Sequence, residues 1–250
     1  MAASLEDLFG GEPPGGTDEP TGDARRALVI AAHPDDADFG AAGTVALLAG
    51  AGWSVRYVVV TNGSKGSEDR TLTPGQLVEM RRDEQERAAA LLGVHSVGFL
   101  GFADGELEAG RALVGEITRE IRSFRPFSVY THDPEPVILE NSFINHADHR
   151  ATGLATVDAV YPAARDHLNF PEQIADGLET HKVRELYLFG THAPNQSVDI
   201  STVLETKIAA LAAHGSQFSV DDEFLALLRE RWSEEDGRYV ERFRRVRLWF

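Results

Sequence analysis

Ala27-Leu28-Val29-Ile30-Ala31-Ala32 is a continuous apolar run of strand length, and it stops abruptly at His33-Pro34-Asp35-Asp36. A run that short, apolar at every position and closed by a turn signal, predicts a strand buried on both faces, as in parallel sheets. Small and apolar residues then recur at helical spacing over residues 38–51. Trp53 to Val60 forms a second apolar, β-branched run, closed by Thr61-Asn62-Gly63-Ser64. Strand, helix, strand is the unit from which a parallel sheet is built.

The pattern continues downstream. A helix is predicted from about Pro74 to Leu92, with proline at its start and Gly93 at its end. There follow a strand near Val97 to Leu100, a helix over Arg111 to Phe124, a strand at Phe127 to Thr131, a long loop and a helix beginning near Asn145. After Tyr161 the signal weakens, though Arg184 to Phe189 reads as a strand and Ile200 to Ala213 as a helix. No internal repeat is visible. The expected fold is α/β: a Rossmann-like, mostly parallel sheet with helices on both faces, forming a single domain over residues 25–250. Residues 1–24 hold Glu6, Asp7, Glu12, Asp18, Glu19 and Asp23 with no Lys or Arg, among proline and glycine, and read as a flexible acidic tail.

A chain of 250 residues with 42% hydrophobic and 26% charged residues suits one globular core. No apolar run approaches the ~18 residues of a membrane span, and the acidic start lacks the pattern of a signal peptide, so the expected location is the cytoplasm, away from membrane. A formal charge of -16 argues against a nucleic-acid partner, because phosphate binding draws on clustered cations. Without cysteine, any metal must be held by His, Asp or Glu.

Ligands of open α/β sheets bind beyond the carboxyl ends of the strands. His33 to Asp36, Asn62 to Ser67, Gly101 to Gly105 and His132 to His149 all fall there. His33-Pro34-Asp35-Asp36 offers an imidazole and two carboxylates on a turn stiffened by proline. A catalytic zinc takes three protein ligands; this segment can supply two of them and leave a carboxylate to accept a proton from water. Asn145-His146-Ala147-Asp148-His149 adds two histidines at i and i+3 at a helix start, so that one ring can reach a metal and the other stand beside it. Asp148, between them, can orient a ring nitrogen.

Taken together, AAHPDDADFGAAGT, VVVTNGSKG, MRRDEQERAAALLGV, GFADGEL, HADH, KIAALAAHGSQ and YVERF, in that order over residues 27 to about 244, resemble the LmbE/PIG-L family of zinc-dependent N-acetylglucosaminyl deacetylases. The resemblance implies zinc on His33, Asp36 and His149, with Fe2+ or another divalent ion also compatible with such ligands. It implies Asp35 as general base, His146 as the group that steadies the oxyanion or assists the leaving amine, and Asp148 as the residue that sets the tautomer and charge of His146. Arg81 and Asp104 align with residues that bind sugar hydroxyls in some members, and His214 lies in an element that lines the pocket or braces its helix. The implied reaction is removal of an acyl group, acetyl above all, from an N-acylated amino sugar or related small molecule. The sequence departs from some sugar-thiol members at Ile144, where they carry a catalytic Tyr. Asp38 replaces the usual Glu and reads as a helix cap or as a support for the site.

Gly40 and Gly43 lack the G-x-G-x-x-G spacing of a dinucleotide loop. Of the remaining histidines, His132 is the one placed to join the site. Arg242, Arg244, Arg245 and Arg247, alternating with Phe243, Val246 and Leu248, form a strand or helix face, or alternatively a contact in a homo-oligomer. The competing readings are an amidase of sugar-thiol conjugates, a metal-dependent phosphoesterase, and a non-catalytic metal or sugar binder. Retention of both Asp35 and His146 speaks against the last, since holding a metal needs neither.

Overall fold

The computed structural model describes residues 20–248. Most of the expected acidic tail, residues 1–19, lies outside the described residues. Of the rest, Pro20 is buried, its carbonyl accepts from Arg25 Nε at 3.0 Å, and Gly22–Ala24 forms a single 3-10 turn.

Along the chain run β1 (Arg26–Ala31), α1 (Asp36–Gly50), β2 (Ser54–Thr61), α2 (Pro74–Leu91), β3 (Ser96–Phe102), α3 (Arg111–Phe124) and β4 (Ser128–His132). There follow the short hairpin strands β5 (Ile138–Leu139) and β6 (Phe143–Ile144), then α4 (Ala147–Asp158) and α5 (Pro171–Ala175). The chain continues through β7 (Glu185–Phe189), β8 (Gln196–Asp199), α6 (Leu204–Ala212), α7 (Asp222–Trp232) and β9 (Val240–Arg247). The main sheet has the order β3-β2-β1-β4-β7-β9-β8. β1, β2, β3, β4 and β7 are parallel, whereas β9 runs antiparallel to both β7 and β8.

β1 is buried on both faces because its side chains alternate between two cores. Ala27, Val29 and Ala31 join Val55, Tyr57 and the α1 residues Ala41, Ala42 and Val45 on one side. Leu28 and Ile30 join Val58, Val60 and the α3 residues Leu113, Ile117 and Ile121 on the other. A third cluster, built from Ile200, Leu204, Ile208, Leu211, Leu228 and Trp232, lies under α6 and α7.

Small residues set how near the helices approach the sheet. A Cβ on Gly40 would lie 2.6 Å from the Phe189 ring, and one on Gly43 would lie 2.6 Å from Ile200. These glycines serve packing inside α1. A Cβ on Gly153 would lie 2.4 Å from the His132 carbonyl oxygen, so glycine lets α4 settle onto the end of β4. α2 starts at a capping box in which Thr73 Oγ1 accepts from Gln76 N at 3.3 Å and Gln76 Oε1 accepts from Thr73 N at 2.9 Å. Its buried face is unusually polar, with Arg81, Glu84 and Gln85 alongside Leu77, Ala88 and Ala89. The arginine alternation near the C-terminus is a strand, β9, paired on both sides within the sheet, with Arg242 and Arg247 exposed and Phe243 buried between Arg242 and Arg244.

Candidate active site

The loops at the carboxyl ends of the parallel strands are stitched together by short contacts. Asp104 Oδ2, after β3, accepts from Lys65 N after β2 at 2.8 Å. Asp148 on α4 accepts from Gly105 N at 2.7 Å and from Leu107 N at 3.2 Å. His33, after β1, touches both of these carboxylates. The segments expected to meet at one crevice therefore do meet.

His33 is bonded at both ring nitrogens. Its Nε2 lies 3.1 Å from Asp148 Oδ2 and 3.3 Å from Asp104 Oδ1, and its Nδ1 lies 3.1 Å from Asp36 Oδ2. Carboxylates facing Nε2 can only accept, so that nitrogen carries the proton. Burial alone would lower the His33 pKa, but hydrogen bonds to Asp104, Asp148 and Asp36 overcome it and push it up to about 12. The second proton, on Nδ1, is the one a divalent ion would replace on binding beside Asp36.

Asp36 is the meeting point. Its Oδ1 lies 3.1 Å from His149 Nε2, and its Oδ2 accepts from His33 N at 2.7 Å. Burial would raise its pKa, yet the neighbouring His149 and His132 hold it well below the usual carboxylate range. His132 stacks on His149 with ring centroids 4.2 Å apart. Its Nε2 stands 3.5 Å from Asp36 Oδ2 but accepts from Ala32 N at 3.1 Å, so its lone pair is committed to the backbone. Burial and the nearby His149 bring its pKa down to about 4, keeping the ring neutral.

Three overlapping trios bring one donor atom each within 4.8 Å of one another: His33, His146 and His149; Asp36, His132 and His149; His33, Asp104 and Asp148. The expected set of His33, Asp36 and His149 is not one of these trios: Asp36 joins the two rings pairwise, at 3.1 Å from each, and imidazole and carboxylate donors of this kind fit a divalent cation.

Asp35 stands apart from this cluster although it is adjacent in sequence. Its φ is 102°, in the left-handed region that a residue with a Cβ rarely enters. That turn points Asp36 toward His33 and His149, while Asp35 Oδ2 lies 3.4 Å from Arg81 Nη2. Burial and the nearby Asp36 raise the Asp35 pKa to about 7, with Arg81 opposing them.

At the start of α4, His146 Nδ1 accepts from Asp148 N at 3.1 Å, which leaves the proton of the neutral ring on Nε2. Burial, then the charge of His33, lowers the His146 pKa. This corrects one expectation: the backbone amide of Asp148 sets the His146 tautomer, and its carboxylate serves His33. The helix turn places the amide under the ring and sends the side chain across to a partner 115 residues away.

Arg81, Asp104 and His214 are buried, at 4%, 5% and 0% exposure, and engaged with protein groups. Arg81 donates to Pro34 O at 2.7 Å and to Gly63 O at 3.2 Å. His214 Nε2 lies 2.8 Å from Asp38 Oδ2, so Asp38 is a buried anchor, not a cap. Ile144 is 74% exposed on the β5–β6 hairpin. Gln85, which no motif marks, lies four residues after Arg81 on the same buried face of α2, and that spacing is its one signal in the sequence.

A parallel sheet whose carboxyl-end loops gather imidazoles around a carboxylate, with a second carboxylate held beside them, is an α/β fold carrying a candidate divalent-metal site. Residues 28–160 match the family described as PIG-L: GlcNAc-PI de-N-acetylase, and the chain belongs to it. The chain is 37% identical to the diacetylchitobiose deacetylase of Thermococcus kodakarensis, over 81% of this chain and 74% of that protein. It is 33% identical to the mycothiol S-conjugate amidase of Streptomyces coelicolor, over 60% of this chain and 56% of that one. Its fold superimposes on the N,N'-diacetylchitobiose deacetylase of Pyrococcus horikoshii with a TM-score of 0.84 and 30% identity, covering 97% of this chain and 90% of that one.

Proposed function

We propose that the protein is a zinc-dependent N-deacetylase acting on an N-acetylated amino sugar. The observation that carries this reading is the division of labour within one turn: Asp36 joins His33 and His149, while Asp35 is held out of that cluster beside Arg81. His33, Asp36 and His149 would hold the ion, which supplies Lewis acidity to water and to the acyl carbonyl.

The chain's own residues do the rest. Asp35 accepts a proton from the attacking water as its oxygen bonds to the acyl carbon, and delivers that proton to nitrogen as the C–N bond breaks. His146, protonated at Nε2, donates to the oxyanion that develops between those events. The products are a free amine and a carboxylate. Asp148 and Asp104 hold His33. Arg81 and Asp104 border the reacting groups, 3.4 Å from Asp35 and 3.3 Å from His33.

The amidase reading shares this chemistry and is favoured by the resemblance to the Streptomyces coelicolor enzyme, so both substrates belong in one assay. The test is amine release from N,N'-diacetylchitobiose, N-acetylglucosaminyl-inositol and a sugar-thiol conjugate by zinc- and iron-loaded protein. About one divalent ion per chain is expected, lost on changing His33, Asp36 or His149 to Ala. Asp35→Asn should keep that ion and lose turnover by roughly 10²- to 10⁴-fold. Full metal occupancy in all three Ala variants would remove the site, and metal loss in Asp35→Asn would make Asp35 a ligand.

A further inference from the structure

Asp35, at φ 102°, adopts a backbone conformation that a residue with a Cβ keeps only where its surroundings hold it there. Two side chains of α2 bond to the peptide in front of it. Arg81 Nη2 donates to the Pro34 carbonyl at 2.7 Å, and Gln85 Oε1 accepts from the Asp35 N–H at 3.0 Å. The peptide that precedes the strained residue is thus gripped at both polar atoms from one helix face.

Gln85 can play this part because its own orientation is fixed. Its Nε2 donates to Asp38 Oδ2 at 2.8 Å, and a buried carboxylate accepts only, so the amide oxygen must face Asp35. Asp38 is held in turn by His214 Nε2 at 2.8 Å and by Tyr57 OH at 3.3 Å. Gln85, Asp38, His214 and Tyr57 each have 0% exposure. The segment after α6 fastens α2 a second time, since Ser216 N and Oγ donate to Glu84 at 2.8 and 2.6 Å. His214-Gly215-Ser216-Gln217, which the reaction itself leaves unexplained, is the far anchor of this chain of bonds.

We propose that Gln85 is a positioning residue that, backed by Asp38 and His214, holds Asp35 at the angle from which it takes the proton. The inference rests on Asp35 being the base. Gln85 contacts none of His33, Asp36 or His149 through its side chain among the described bonds, so its loss should spare the ion and slow the chemistry.

The test measures kcat and KM for amine release from N,N'-diacetylchitobiose by the ion-loaded full chain. Gln85→Met, close in size but unable to accept or donate, should lower kcat about 10- to 100-fold, as sub-ångström to ångström misplacement does, with KM and ion content nearly constant. Gln85→Glu, which in its protonated form reproduces both hydrogen bonds, should recover most of that loss. Asp35→Asn/Gln85→Met should be no slower than Asp35→Asn alone, because a group acting only through Asp35 has nothing further to lose. Normal kcat in Gln85→Met beside a slow Asp35→Asn would overturn the positioning role alone, as would a further fall in the double variant. Normal turnover in Asp35→Asn would overturn the base assignment and this inference with it. If Gln85→Met does not fold, Gln85→Asn, one methylene shorter, replaces it under the same expectations.

Discussion

His33 gives its two ring nitrogens opposite tasks, Nε2 donating to Asp148 and Asp104 while Nδ1 faces Asp36. The carboxylates of Asp148 and Asp104 therefore leave Nδ1 as the nitrogen that would face an ion in the proposed site, a role such outer partners commonly hold. Asp148→Ala is expected to weaken divalent-ion affinity about 10- to 100-fold, read by competition with a chromophoric chelator on folded protein. Affinity equal to the parent chain's would assign the choice of tautomer to Asp104, whose Oδ1 lies 3.3 Å from the same nitrogen. Much of this residue-level picture was legible: both motifs and the convergence of their loops follow from residue type and strand-end placement, whereas the separate parts of Asp35 and Asp36 were implied by the family resemblance alone. The partner of Asp148 was not legible, because spacing shows local neighbours and His33 lies 115 residues away. The strained φ of Asp35 was equally hidden, since nothing in the residue type demands it.

Elements with strong periodicity were found nearly to the residue. α3 spans the predicted Arg111–Phe124 because Leu113, Ile117 and Ile121 mark one face, and α2 begins at Pro74 because Thr73 and Gln76 close its first turn. The weak signal after Tyr161 has a physical cause: that stretch is organised by a side chain from elsewhere. Arg122 of α3, 2% exposed, donates to the carbonyls of Ala163, Ala164, Asp166, Asn169 and Phe170. Carbonyls satisfied by a guanidinium need no periodic pattern of their own. Arg122→Met should destabilise the protein by roughly 3–4 kcal/mol, since hydrogen bonds to charged groups contribute about 1.5–3 kcal/mol each and do not add fully. At about 2–4 °C per kcal/mol for a chain of this size, thermal unfolding should begin some ~10 °C earlier. A shift under ~2 °C would show that solvent satisfies these carbonyls as well as arginine does.

On the scale of the molecule, the loops after the parallel strands carry the candidate site, and the antiparallel strands β9 and β8 extend the sheet beyond β7. The family match ends at residue 160, yet β7, β9 and β8 complete the sheet beyond it. β8, β9 and α7 escaped a firm reading because arginine-rich alternation and short polar runs resemble a solvated face until their partners are known. What commits β9 to the interior is Glu241, which accepts from Gly43 N and Thr44 N at 2.8 Å each, from Thr44 Oγ1 at 2.6 Å and from Lys207 Nζ at 2.5 Å. Lys207 also donates to Phe39 O at 2.7 Å and lies 4.1 Å from the Trp232 ring centroid. The pair thus ties α6, α7 and β9 to the helix that begins at Asp36. Its two members are unequal. Without Lys207, Glu241 keeps three donors; without Glu241, the ammonium keeps Phe39 O but no counter-charge, and two α1 amides and the Thr44 hydroxyl lose an acceptor, where Lys207 side-chain exposure is 0%. Glu241→Leu should therefore cost about 3–5 kcal/mol, the usual penalty for leaving a buried charge unpaired, and Lys207→Met distinctly less. Lys207→Met/Glu241→Leu should be no less stable than Glu241→Leu alone, because the stranded ammonium is gone. Urea unfolding with a common slope measures all three. Equal losses in the two single variants that simply add in the double would mean that the contacts act independently and that the ion pair is not what holds the two halves of the sheet together.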